Sequence, residues 1–421
     1  MRATTDVKTV PTVQSRRRSE SGTLTTTWLV TVPVVLIGVG NLVLTENAQA
    51  RLPIDYLLLS LALCALIALY RLRAVGRRAA ALAPLALFLG GCVVGYVTSA
   101  GSSYAQNKYL TFAIVCIVAA ALSTVRVQER LHRSLALSLA VVGSVSSVLL
   151  LTLGAVTATG RFTLFDLNPI SLARATGLIV VVALALVITS KPSRRRPVVT
   201  AALLILAILG AVATVVTGSR GPLLSVSLAL VCVLAVTLRT RKLGAATVVL
   251  LFVFSGIAYS AVTVFGGAGL DRLESGIDSG RNTLYAQTWE VIKDQPIVGI
   301  GWGNFPLYIF DFASDDGTLY PHNILLEIWV EGGLLPLVGF VVLTMVAVRR
   351  AYQAAVTSRW SIIIFGLLIY ALANALVSSD VVGNRLMWVL LTLALLARPD
   401  GPAREHASML PDPERKARFI R

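Results

Sequence analysis

Apolar runs long enough to cross a lipid bilayer recur along almost the whole chain, separated by short connectors rich in arginine. A transmembrane helix needs about 20 consecutive apolar residues, because the hydrocarbon core is about 30 Å thick. Within lipid every backbone N–H and C=O has to be paired inside the segment, which favours helices. We therefore predict an all-α integral membrane protein with about 12 transmembrane helices. The predicted spans are 27–45, 54–70, 79–98, 109–123, 134–155, 171–189, 198–216, 222–238, 242–265, 324–348, 360–377 and 383–397.

Composition agrees with a membrane protein and argues against a soluble or nucleic-acid-binding one. Of the 421 residues, 56% are hydrophobic and only 14% are charged, although the net charge is +16. The basic residues are concentrated in alternate connectors, which by the positive-inside rule lie in the cytoplasm together with both termini. This charge orients the chain and attracts anionic membrane lipids, so no nucleic-acid partner is expected.

One polytopic membrane domain, residues 27–398, is predicted between two polar ends. Residues 1–26 are rich in Ser, Thr and Arg and are predicted to be disordered in the cytoplasm. Residues 399–421 are the predicted basic cytoplasmic tail. The four cysteines lie in apolar spans without C-x-x-C spacing, so we expect neither a disulfide framework nor a zinc site.

The longest connector, residues 266–323, is predicted to be a large extracytoplasmic loop, and a loop of this length usually carries function. Its middle, from Arg281 to Gln295, has the pattern of an amphipathic helix that lies in the membrane interface. The glycine-rich stretch 299–305 predicts a tight turn, with Trp302 and Phe305 as anchors at the membrane surface. It does not indicate a phosphate loop, because no strand precedes it and no Gly-Lys-Ser/Thr follows.

Arginines in the outer half of the molecule are unusual, since the positive-inside rule predicts few basic residues there. An arginine in or near the hydrocarbon region is costly and usually has a partner, so each is a candidate functional residue. The alternative for each is that it extends to the lipid head groups or pairs with an outer acid such as Asp166 or Asp380. These arginines are Arg161, Arg174, Arg220, Arg281 and Arg385.

His322 is the histidine that the topology places outside, in a Pro321-His322-Asn323 turn just before an apolar helix. The positive end of the helix dipole disfavours a proton on the imidazole and favours a nearby anion. A neutral imidazole beside an anion site suits a general base. A structural or capping role is the alternative for a single histidine.

Four stretches occur in a characteristic order: TGSRGPLL at 217–224, RNTLYAQTW at 281–289, DQPIVGIGWGNF at 294–305 and PHNILLEIWVEGG at 321–333. Together they resemble the O-antigen ligase and O-antigen polymerase superfamily. Two spacings are similar to the ligase branch: three residues between Arg220 and Leu224, and ten between His322 and Gly333. The NPISLA stretch at 168–173 is similar to another family segment, which adds Arg174 to the candidates.

The resemblance implies a GT-C-like architecture and a metal-independent, inverting glycosyltransferase without a cofactor. Such enzymes transfer a glycan from a polyprenyl-diphosphate donor, typically undecaprenyl diphosphate, at the outer face of the bacterial cytoplasmic membrane. The acceptor is a hydroxyl of another glycan or of a lipid-linked glycan such as lipopolysaccharide core. An O-antigen or exopolysaccharide polymerase is the nearest alternative; a polytopic transporter, an export partner or a peptidoglycan-type glycosyltransferase is a more distant one.

The resemblance also implies roles for particular residues. Arg220 and Arg281, assisted by Arg174 and Arg161, would bind the diphosphate through charge-assisted hydrogen bonds. His322 would orient or deprotonate the acceptor hydroxyl.

Further candidate substrate-binding residues follow His322. Asn323 belongs to the same turn, and Glu327 and Glu331 lie one helical turn apart on the next helix. The two glutamates are expected to orient a partner group or an acceptor sugar, or to pair with a basic residue of the loop. Gly332-Gly333 is expected to break this helix, which makes its first part re-entrant.

Overall fold

The computed structural model describes residues 13–43, 55–99, 101–125, 127, 129–157, 161–165, 167–190, 196–240, 281–309 and 319–397. Within them, almost all regular structure is helical, as predicted. The helices are α1 (Val13–Val43), α2 (Tyr56–Tyr70), α3 (Leu72–Gly76), α4 (Ala83–Val97), α5 (Ser103–Thr124), α6 (Glu129–Leu153), α7 (Pro169–Thr189), α8 (Pro197–Val216), α9 (Arg220–Thr240), α10 (Arg281–Asp294), α11 (Ile324–Gly332), α12 (Leu334–Ala355), α13 (Arg359–Val377) and α14 (Arg385–Leu396). Short 3-10 helices cover Ala79–Leu82 and Phe305–Leu307, and strands β1 (Ala155–Val156) and β2 (Phe162–Thr163) form an antiparallel hairpin.

Eight helices in the described part of the chain are long and apolar enough to cross a membrane. Three shorter apolar helices, Thr27–Leu42, Tyr56–Tyr70 and Arg385–Leu396, overlap further predicted spans. The predicted span 242–265 lies outside the described residues, so the total number of spans stays a prediction. The chain is a multi-pass, all-α membrane protein.

The two predicted polar ends of the chain, residues 1–26 and 399–421, compare differently with the structure. Helix α1 begins at Val13, inside the amino-terminal segment for which the sequence predicted disorder. The predicted tail, 399–421, lies outside the described residues.

Helix α7 is the central element of the bundle, because every residue of its spanning stretch is buried. It packs against α6, α8, α9 and α13. Its start follows from local sequence: the Asn168 side chain accepts a hydrogen bond from the Ile170 N–H at 2.9 Å, and Pro169 occupies the first helical position. Both residue types are favoured there, because they satisfy or remove a free N–H.

The predicted span 324–348 is two helices, which confirms the break expected at the paired glycines. Gly333 has φ 82° and ψ −169°, a conformation that is essentially restricted to glycine. The short helix α11 therefore ends there and α12 begins in a new direction. This break sets α11 apart as a nine-residue helix at the end of the bundle that carries the candidate site.

Candidate active site

The Pro321-His322-Asn323 turn leads directly into α11. The Asn323 side-chain oxygen accepts hydrogen bonds from the N–H groups of Leu325 at 2.9 Å and Leu326 at 3.2 Å. Asn323, a predicted substrate-binding residue, is thus the N-cap of α11. His322 precedes the cap with φ 56°, a left-handed conformation that is uncommon outside glycine.

The His322 imidazole is half-buried and held by one ring contact, with the Tyr320 ring 4.4 Å away between centroids. Its Nδ1 atom is buried and has no hydrogen-bond partner among the described residues. Buried polar atoms in folded proteins nearly always have a partner. Within the described ranges, nothing bonds to this ring nitrogen, so it keeps its capacity to bond to a further group.

Burial and a nearby positive charge keep this imidazole neutral. Burial is the largest cause that lowers the pKa of His322, from 6.5 to about 4, and the nearby Arg281 guanidinium lowers it further. The Asp380 carboxylate acts in the opposite direction. His322 is therefore unprotonated at neutral pH, as a general base has to be.

Helix α10 brings Arg281 to His322, because Arg281 is its first residue and α10 packs on α11. The apolar face of α10 contributes Leu284 and Ile292 to a small core that also contains Val330 of α11. The helix predicted from the sequence is confirmed, but these two side chains contact protein rather than the membrane interface. The Trp289 ring lies edge-on to Trp329, 5.4 Å between centroids.

The glycine-rich turn that follows α10 packs in the protein interior. Trp302 and Phe305 are fully buried, so their predicted role as membrane-surface anchors is wrong. The Trp302 indole N–H donates to the Cys92 carbonyl of α4 at 2.9 Å. A tryptophan side chain suits either a membrane interface or a buried site with one hydrogen-bond acceptor. The sequence did not show which applies, because the acceptor lies 210 positions away.

Backbone hydrogen bonds join this turn to the end of α11. The Ile300 N–H donates to the Val330 carbonyl at 2.8 Å, and the Gly301 N–H donates to the Glu331 carbonyl at 2.9 Å. These bonds satisfy carbonyls that the last turn of a helix leaves unpaired. They also occupy the N–H groups that a phosphate loop would need, which agrees with the rejection of that interpretation.

Arg174 is buried in α7 and is tied to the turn before α14. Its Nη2 donates to the Asn384 side-chain oxygen at 2.5 Å, and the Asn384 amide donates to the Asp380 carbonyl at 2.7 Å. Arg174 also lies within electrostatic range of Asp380 and Tyr320. Asp380 therefore lies within electrostatic range of both Arg174 and His322, and Arg281 acts on His322 as well.

Arg220 begins α9, and its side chain is exposed. A Cβ on its neighbour Gly221 would lie 2.9 Å from Val377, the last residue of α13. Arg220 therefore starts its helix beside the chain that leads into the Asp380 turn.

Arg161 and Arg385 have different settings. Arg161 lies in the β1–β2 hairpin, where its N–H donates to the Thr157 hydroxyl at 3.1 Å. Arg385, the first residue of α14, forms a side-chain hydrogen bond with Tyr56 of α2. The contacts described for these two arginines are thus with elements other than α10 and α11.

Glu327 and Glu331 are fully buried and have a partner within the protein. Lys108 of α5 places its Nζ 2.7 Å from one Glu327 oxygen and 2.5 Å from one Glu331 oxygen. The two glutamates thus pair with a basic residue, as in the alternative interpretation, but that residue belongs to a helix rather than to the loop. Lys108 was not among the predicted site residues, because it lies just before the predicted span 109–123. The signal that could have identified it was a lone lysine at the edge of an apolar helix.

Residues 205–344 match a family model described as O-antigen ligase, Wzy_C. The chain carries the O-antigen ligase domain. This domain contains all four stretches on which the sequence resemblance rested, and with them Arg220, Arg281 and His322. The match indicates activity of the O-antigen ligase or polymerase type on lipid-linked glycans. No curated protein matches the chain.

Two charged neighbours of His322, Arg281 within the O-antigen ligase domain and Asp380 beyond its end, give opposite, testable shifts of its pKa. Arg281→Gln removes a positive charge and should raise the pKa of His322 from about 4 towards 6.5. Asp380→Asn removes a negative charge and should lower it further. NMR of 13C-labelled histidine measures both shifts, because the chain has only three histidines to assign. Shifts of the same sign in the two variants would contradict the described charge arrangement.

Proposed function

We propose that this protein transfers a glycan from a polyprenyl-diphosphate carrier to an acceptor hydroxyl, with inversion and without a metal ion. The reaction takes place at the outer face of the bacterial cytoplasmic membrane, with both termini in the cytoplasm. One observation carries the proposal: a neutral, half-buried His322, whose Nδ1 has no partner in the part of the chain that the structure describes, lies beside Arg281 within the family domain.

On the acceptor side, His322 takes the proton. The acceptor oxygen forms a bond to the anomeric carbon while the bond from that carbon to the diphosphate oxygen breaks. The electron pair of the broken bond stays on the diphosphate, and the hydroxyl proton passes to the imidazole. Positioned proton transfer of this kind contributes about 10²–10⁴-fold to a rate.

On the donor side, arginines bind the diphosphate. Arg281 is half-buried beside the base, and the Arg174 guanidinium has further N–H donors besides the one that Asn384 accepts. Arg220 at the start of α9 and Arg161 of the hairpin are the additional ligands of this proposal. Forked, charge-assisted bonds of this type stabilise the negative charge that develops on a leaving phosphate.

Arg281 also couples the two substrates. Its charge lowers the pKa of His322 before the donor arrives. A bound diphosphate neutralises that charge, so the imidazole becomes a stronger base only when the leaving group is in place. Before the donor binds, the lowered pKa thus keeps the His322 imidazole unprotonated.

An experiment on α10 tests the proposal. Purified protein in proteoliposomes receives a polyprenyl-diphosphate-linked glycan and a lipid-linked acceptor. Arg281→Ala should reduce transfer by about 10²–10³-fold, the usual cost of losing an electrostatic stabiliser. Lys293→Ala is the matched control, since Lys293 lies on the same helix, is exposed and pairs only with Glu290 among the described residues; its rate should stay within about twofold.

The product distinguishes the two family activities. A glycan attached to the lipid acceptor indicates a ligase, whereas longer chains on the polyprenyl carrier indicate a polymerase. Wild-type rates in the Arg281→Ala variant, with the protein present in the membrane, would refute the proposed site.

A further inference from the structure

A buried triad of charges lies behind the candidate base. Lys108, Glu327 and Glu331 are all fully buried, and the ammonium contacts both carboxylates at 2.7 and 2.5 Å. Burying such ions is costly, and a well-packed apolar set of similar volume often gives equal or higher stability. Global stability alone therefore does not account for three charges at this position.

The triad fixes the orientation of α11. Glu327 and Glu331 lie one turn apart on the same face of the helix. One ammonium between them therefore fixes both the rotation of α11 about its axis and its position along α5. Helix α11 has nine residues and ends at Gly333. A helix this short has little stability of its own, so tertiary contacts have to set its pose.

The same part of α5 also holds the Asp380 turn. The Tyr104 hydroxyl, one turn before Lys108, donates to the Asp380 carboxylate at 2.9 Å, and the Lys108 Nζ lies 4.3 Å from the Tyr104 ring centre. The Glu327 carboxylate accepts the Val381 N–H at 2.9 Å. Lys108 thus sits between the two elements that flank the imidazole: α11, which His322 precedes, and the turn whose carboxylate acts on it.

We infer that Lys108 is a positioning residue for His322, which it holds in reacting geometry by joining α11 and the Asp380 turn to α5. The inference rests on the proposed function of His322. It predicts that Lys108 acts on the chemical step more than on donor binding, because Arg220 and Arg281 lie on other elements and only Arg174 is bonded to the Asp380 turn, through Asn384. A displacement of about 1 Å in a reacting group is enough to lower a rate by about 10²-fold.

The test separates positioning from stability. Lys108→Met alone leaves two unpaired carboxylates and is expected to unfold more easily. Lys108→Met/Glu331→Gln keeps the net charge of the triad unchanged, and the Val381 N–H still contacts the remaining Glu327. The double variant leaves one unpaired carboxylate instead of two, so it should recover part of the thermal stability lost in Lys108→Met, while kcat stays about 10²-fold low and the donor KM is unchanged.

Two controls decide what a failure means. Ser123→Ala removes a buried hydroxyl at the other end of α5 and should leave kcat unchanged. A double variant with wild-type kcat, in an assay where His322→Ala is inactive, overturns the positioning role alone. An active His322→Ala variant overturns the proposed function, and this inference with it.

Discussion

Replacement of His322 by alanine is expected to lower the rate of glycan transfer by about 10²–10⁴-fold and to leave the protein folded in the membrane. The imidazole is half-buried, makes one ring contact and has an unpartnered Nδ1 among the described residues, so its removal breaks few structural interactions. Transfer in proteoliposomes and thermal unfolding in detergent measure the two effects separately. Imidazole added to the buffer should restore part of the lost rate.

A second histidine provides the control. His132 is buried in α6 and its Nδ1 is 3.0 Å from the Ser361 hydroxyl of α13, so its role is structural. His132→Asn keeps a polar group near that hydroxyl and should retain wild-type kcat. A His322→Ala variant that transfers glycan as fast as His132→Asn would exclude the imidazole from the reaction.

Replacement of Gly333 by alanine is expected to destabilise the protein by about 3 kcal/mol or more. The backbone at Gly333 has a conformation that residues with a Cβ avoid. A Cβ there would lie 2.5 Å from the Val298 carbonyl carbon and would overlap the Ile297 carbonyl oxygen. The loop before the glycine-rich turn would have to move, so both the unfolding temperature and the yield of folded protein should fall.

Gly90→Ala is the matched control for this substitution. Gly90 lies within α4, and a Cβ there would have no neighbour within 4 Å. Alanine is favoured over glycine inside a helix by about 1 kcal/mol, so this variant should be as stable as the wild type or slightly more stable. Equal unfolding temperatures for the two variants would contradict the described geometry of the break.

Local sequence was sufficient for the helices of the described spans, for the helix break and for the position of His322 just before α11. Apolar length predicts where helices cross the membrane, and paired glycines predict where one of them stops. Both signals are short-range, so they can be recognised without knowledge of the packing. The same holds for the amphipathic helix that starts at Arg281.

Long-range pairing explains what the sequence left open. Lys108 and Glu331 are 223 positions apart, and no periodic pattern links a lysine near one apolar run to a glutamate in another. The burial of Trp302 depends on an acceptor in α4 in the same way. Hydropathy states which residues avoid water, but it does not state which buried polar groups meet.

The burial of α7 has a consequence for how the protein is made. Ribosomal synthesis proceeds from the amino terminus, so α7 enters the bilayer before its partners α8, α9 and α13 exist. Asn384, which accepts a hydrogen bond from Arg174, is translated 210 residues later. Until then the translocon has to pass a helix with an unshielded guanidinium, at a cost of up to about 3 kcal/mol. The aliphatic run from Leu178 to Ile188 offsets that cost, so the hydrophobicity of α7 serves its insertion into lipid as much as its final surroundings within the protein.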